Sequence, residues 1–304
     1  MKVLYFDCFS GISGDMTLGA LMDLGVDEQL FRKELDKLKL EGYKLVIGKS
    51  IKNGITGMDV NVILTNDEED HHDHCQHEDN HDHEHGHDGH SPDHHALNLR
   101  DIEALIDDSG LSQSVRDFSK KVFREIAAAE AKVHDKDIYE VHFHEIGAAD
   151  SIVDIVGTAI CLDLLGVDRV YASKLHDGHG FIKCQHGTIP VPVPAVMEML
   201  SESGIPLVQT DINTELITPT GMGIIKCLSS GFGSMPQMSV DRVGYGMGKR
   251  ETGGFNALRL IMGTMQEADN YNHDEAVLLE TNIDDIYEKE PPCSHADGNC
   301  KDSG

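Results

Sequence analysis

KVLYFDCFSGISGDMTLGALMDLG, Lys2 to Gly25, changes its period in the middle. Lys2 to Phe9 is a short apolar run of the length and residue types of a buried strand. Ser10 to Gly14 is a turn of small residues, after which Met16, Leu18, Ala20, Leu21 and Leu24 follow helical spacing and Gly25 stands where a C-terminal glycine ends a helix. A strand, a tight turn and a helix in that order predict an α/β protein, with α+β as the alternative, built on a mixed sheet with flanking helices.

Outward from this unit, the spacing predicts a helix over Gln29–Leu38, strands over Tyr43–Ser50 and Asp59–Leu64, and helices over Leu99–Asp107 and Val115–Val133. Residues 67–96 break the pattern. They are almost wholly Asp, Glu, His, Asn and Gly, and eleven of the 19 histidines lie between His71 and His95. Such a composition cannot bury enough apolar surface to fold, so it predicts a disordered His-rich insertion that collects borderline metal ions. Residues 1–66 and 97–265 are then two parts of one α/β domain. Residues 266–304 read as a linker and a truncated, disordered tail, because YEKEPPCSHADGNCKDSG has no apolar period.

A chain of 304 residues has ample material for a core. Its formal charge of -28 opposes nucleic acid and anionic lipid as partners. The seven cysteines form no CxxC pair, which fits a reduced, cytoplasmic setting. There is no stretch of the ~20 apolar residues that a membrane span needs, and MKVLYFDCFSG lacks the apolar core of an export signal.

Chemistry concentrates in VHFHEIGAADSIVDIVG, Val141 to Gly157. Strand alternation puts His142 and His144 on one face, roughly 6 to 7 Å apart, with Glu145 adjoining. Asp150 can cap a following helix that ends at Gly166 and places Asp154 one turn further on. Nickel, zinc, manganese and iron all suit this mixture of donors. The bland alternative is a pair of hydrogen-bonded core histidines and a simple helix cap. Cys184 and His186 offer a thiolate and an imidazole two residues apart, or else a buried cysteine beside a turn. Asp7 and Asp15 flank the turn Ser10, Gly11, Ile12, Ser13, Gly14, whose amides could cradle an anion at a helix N-terminus or only make a tight turn. Thr218, Thr220 and Gly221 form a second candidate anion pocket, and Gly244 to Lys249 a third. No Gly-x-Ser-x-Gly elbow supports a nucleophilic serine.

FDCFSGISGDMTLGAL, VHFHEIGAADSIVDIVG, CQHGTIPVPVPA, ELITPTG, GYGMG and ETNIDD together closely resemble the nickel-pincer nucleotide nickel insertase family, LarC, from residue 1 to about residue 285. The resemblance implies insertion of Ni²⁺ into pyridinium-3,5-bisthiocarboxylic acid mononucleotide through two sulfur bonds and one carbon bond. The product is the cofactor of lactate racemase. It further implies dependence on CTP with Mn²⁺ or Mg²⁺, and a base for the ring proton, for which Glu145 or a nearby histidine could serve. Family members continue past ETNIDD into a domain that carries the CTP site. This chain departs from them after Asp285, and so it is expected to need a separately encoded or frameshifted C-terminal domain as partner. A homo-oligomer is compatible with everything above. Two alternatives stand beside the insertase: a nickel storage or delivery protein without catalysis, and a metal-dependent nucleotide hydrolase.

Overall fold

The computed structural model describes residues 1–65, 97–141, 149–184 and 187–266. His142, His144, Glu145, His186, the His-rich run and the tail beyond Gln266 lie outside the described residues.

Strand β1 (Lys2–Asp7) and helix α1 (Gly14–Asp23) realise the opening unit, with Ser13 as N-cap. Helix α2 (Glu28–Leu35) follows, capped by the Asp27 carboxylate on the N–H groups of Gln29 and Leu30. Strands β2 (Tyr43–Lys52) and β3 (Ile55–Leu64) make a long hairpin. Its two-residue turn is Asn53–Gly54, both with positive φ, as such a turn demands. Helix α3 (Leu99–Asp107) carries a full capping box between Asn98 and Asp101, which explains why its limits are those the sequence predicts. Helices α4 (Gln113–His134) and α5 (Ala149–Leu165) follow. Asp150 lies inside the first turn of α5 rather than outside it, where its carboxylate accepts the Ser151 N–H at 2.7 Å.

The chain continues through β4 (Arg169–Ala172), β5 (Leu175–Asp177), β6 (Phe181–Cys184), β7 (Gly187–Pro190), α6 (Pro194–Leu200), β8 (Leu207–Gln209), α7 (Pro219–Leu228), β9 (Ser239–Met247) and β10 (Ala257–Thr264). The main sheet has the order β2-β3-β9-β10-β1-β4. Its β3–β9 and β1–β4 pairs are parallel and the others antiparallel, so the sheet is mixed, as expected. Two smaller sheets pair β5 with β8 and β6 with β7. Helix α1 packs on β9, β3 and β10; α5 packs on α1, and α4 on α5, α6 and α7. Leu4 and Phe6 from β1, Leu258 and Leu260 from β10, and Ile152, Ile155 and Val156 from α5 share the resulting core.

One expectation is corrected here. The stretch Gly244 to Lys249 is expected to form an anion pocket, but Gly244 and Gly246 lie within strand β9. A Cβ at Gly244 would overlap the Ala20 carbonyl oxygen of α1, and one at Gly246 the Met16 carbonyl oxygen. These glycines let a helix backbone lie directly on a strand.

Candidate functional site

Helices α1 and α7 begin side by side. The Ile12 N–H donates to the Leu216 carbonyl at 3.0 Å, and the Thr218 N–H donates to the Ile12 carbonyl at 3.1 Å. Gly221 sits against the Ile12 carbonyl and Ser13, where any side chain would clash. Gly14 likewise lies against the Asp154 carboxyl, so α5 meets the first turn of α1 with no Cβ between them. These close approaches open a cleft of about 460 Å³ whose walls include Ser13, Gly14, Asp15, Asp150, Asp154, Thr218 and Thr220. Strand β6 supplies Ile182, Lys183 and Cys184, and the segment after β9 supplies Lys249 and Arg250. A second recess of about 200 Å³ shares Ser13, Asp15, Glu215, Thr218, Lys249 and Arg250, and adds Gly248 and Asn256.

Asp154 is the most perturbed group of the cleft. It is 9 % exposed, and its Oδ1 has no hydrogen-bond partner. Burial, then the carboxylates of Asp15 and Asp150, push its carboxyl well above the usual range, with Lys249 opposing. Burial also raises Asp150, against the Ser151 N–H and Lys249. Asp15 accepts from the Ser13 hydroxyl and from the Met16 N–H at 2.9 Å, and it faces the Lys249 ammonium at 3.1 Å. Arg250 is paired with Glu215, whose side chain is 6 % exposed, and also reaches the Thr214 hydroxyl at 3.1 Å.

Other candidates already have partners within the fold. The Ser10 hydroxyl donates to Asn256 Oδ1 at 3.3 Å in the interior, and the Gly11 N–H is spent on the Cys8 carbonyl at 3.3 Å. Asp7 pairs with Arg259 on the neighbouring strand β10, outside the cleft. Thr218 caps α7 by accepting the Gly221 N–H at 3.1 Å. Among the described residues no three His, Cys, Asp or Glu side chains are grouped to hold a metal ion. All four described cysteines are free.

Sequence reasoning missed Glu215, Arg250 and Asp177. The first two stand inside motifs the sequence displays, ELITPTG and VGYGMGKRE, but nothing local pairs residues that far apart. Asp177 is buried at the end of β5, where Oδ1 accepts N–H groups from Gly178, Leu216 and Ile217 at 2.7, 2.7 and 3.3 Å. It thereby fixes the turn that presents Glu215 and Thr218.

The chain matches the nickel insertion protein family over residues 4–291. It is similar to the pyridinium-3,5-bisthiocarboxylic acid mononucleotide nickel insertion protein of Acetivibrio thermocellus, 56 % identical over 289 residues, covering 94 % of this chain and 66 % of that protein. The like-named protein of Lactiplantibacillus plantarum is 50 % identical over 295 residues, covering 94 % of this chain and 68 % of its own length. That of Clostridium kluyveri is 46 % identical over 287 residues, covering 94 % and 67 %. The chain thus spans about two thirds of the length of these relatives. No solved structure matches it. With a match across nearly its whole length and relatives at these identities, the chain belongs to the nickel insertion protein family.

Proposed function

We propose that this chain takes part in inserting Ni²⁺ into pyridinium-3,5-bisthiocarboxylic acid mononucleotide, the compound in its relatives' names, and that the cleft between α1, α5, α7 and β6 seats the reaction. The observation that carries this is Asp154. A buried carboxyl oxygen without a partner costs stability, and it is accounted for where a ligand or metal ion engages it during function. Asp150 and Cys184 line the same cleft and add an oxygen and a sulfur donor. His142, His144, Glu145 and His186 are the further donors under this reading, the first three standing just before α5 in the chain.

Forming the nickel–carbon bond replaces a ring C–H, so one proton must leave for each metal inserted. Glu145 is the proposed acceptor. CTP with Mn²⁺ or Mg²⁺, and use of the product by lactate racemase, belong to the same proposal through the family resemblance.

The test is a reaction of this chain with nickel, CTP, Mn²⁺ and the bisthiocarboxylate nucleotide, supplemented with the C-terminal portion of the Acetivibrio thermocellus relative and followed by the absorbance of the nickel product. Asp154→Ala and Cys184→Ala should each lower the rate by at least about tenfold, equivalent to about 1.4 kcal/mol of barrier, without loss of fold. Normal insertion by both variants would place the reaction outside this cleft.

A further inference from the structure

The cleft is chemically two-ended. Asp150, Asp154 and Cys184 line only the larger space of about 460 Å³. The adjoining recess of about 200 Å³ lacks all three, and is formed by Lys249, Arg250, Thr218, Gly248 and Asn256 together with Asp15 and Glu215. We propose that this recess is a phosphomonoester seat: a mononucleotide enters with its phosphate toward Lys249 and Arg250 and its ring toward Asp150 and Asp154, and Glu215 acts as a positioning residue for Arg250. This deepens the reading above and rests on it for the identity of the ring.

The geometry of Arg250 supports the assignment. Its Nη2 is held by Glu215, a buried carboxylate, and its Nη1 by the Thr214 hydroxyl at 3.1 Å. A planar guanidinium fixed in this way still has N–H groups to offer an anion, and they are already oriented, so binding loses little side-chain freedom. The backbone on either side of Arg250 is tied down as well. The Asn256 side-chain amide donates to the Arg250 carbonyl at 2.9 Å, and the Gly248 N–H donates to the Asn256 carbonyl at 3.0 Å. Asn256 is itself buried. Lys249 meets Asp15 at 3.1 Å across the shared wall with its side chain 48 % exposed, so an entering dianion can compete for it. Asp154 gives a separate sign of a ligand: the residue lines the larger end, where the other half of the same molecule would lie, and its buried Oδ1 has no hydrogen-bond partner.

The test measures binding without nickel or CTP. Nicotinamide mononucleotide, a pyridinium mononucleotide, and the corresponding nucleoside are titrated into the 304-residue chain by calorimetry. The mononucleotide should bind at least about tenfold more tightly than the nucleoside. Arg250→Ala and Glu215→Gln should each erase most of that ratio while leaving nucleoside affinity unchanged. A purely structural role for Glu215 would instead weaken both ligands alike. Thermal melting identifies a variant that has lost its fold, and Lys249→Ala then gives a second reading of the ratio. Equal affinity for the two ligands, no binding of the mononucleotide, or a ratio untouched by Arg250→Ala would overturn the proposal. The two readings fail separately: discrimination without nickel insertion leaves the seat and removes the insertase, and insertion without discrimination does the reverse.

Discussion

Asp177 keeps one carboxyl oxygen on three backbone N–H groups and has no partner for the other. Burial lifts its carboxyl above the usual 3.8, and the N–H donors from Leu216, Gly178 and Ile217 oppose the rise. The folded chain therefore holds this proton more tightly than the unfolded chain does. The resulting stability is fully present below the unfolded value and is lost as pH rises through the folded one. Asparagine cannot ionise, so the unfolding free energy of Asp177→Asn in urea should fall less steeply with pH above about 4 than that of the parent chain. Identical slopes would mean that the carboxyl titrates alike in both states. Asp177→Ala is a different experiment: it strands the three N–H groups and should cost about 3 kcal/mol at neutral pH. Asp177 and Asp154 are ordinary carboxylates in the sequence, and their perturbation arises only from what is packed around them.

Helix α1 is where element packing and the site meet. It rests on β9 through glycines at both contacts, and its first turn is roofed by Asp154 over Gly14. Gly246→Ala would drive a methyl group into the Met16 carbonyl, a backbone atom that cannot rotate away. The helix would have to lift from the sheet, at a cost of about 3 kcal/mol or more. Chemical denaturation should show that loss, together with weaker binding at the cleft, because Asp15 moves with the helix. An alanine variant of unchanged stability would mean that α1 has room which the packing denies. The hairpin of β6 and β7 follows another logic: its pairing is local, and Phe181 at its start is 68 % exposed, yet Ile182 and Cys184 reach the cleft.

For the whole molecule the largest chemical asymmetry is the run holding eleven histidines between His71 and His95. Its irregular spacing suits collection of metal rather than a single geometry, so deleting residues 67–96 should lower the nickel bound per chain in equilibrium dialysis. Insertion at saturating nickel should be unchanged; a matching loss of turnover would give the run a part in the chemistry. No helix among the described residues is long and apolar enough to cross a membrane. By itself the sequence determined the strand–turn–helix opening, the limits of α3, and the motifs that mark the family. Periodicity, caps and motif spacing all act within a few residues of chain, so they can be read along it. It also displayed most of the acids, the cysteine and the helix-capping hydroxyls that line the cleft, but as members of separate segments. Only the tertiary structure decided that Ser13, Asp154, Thr218 and Lys249 face one space, that Arg250 leans on Glu215, and that Gly244 and Gly246 belong to a strand. Each of these depends on neighbours distant in the chain, since β1 pairs with β10 from the other end of the described chain and α5 closes over α1. A glycine chosen for close approach looks, until its neighbour is in place, like a glycine chosen for a turn.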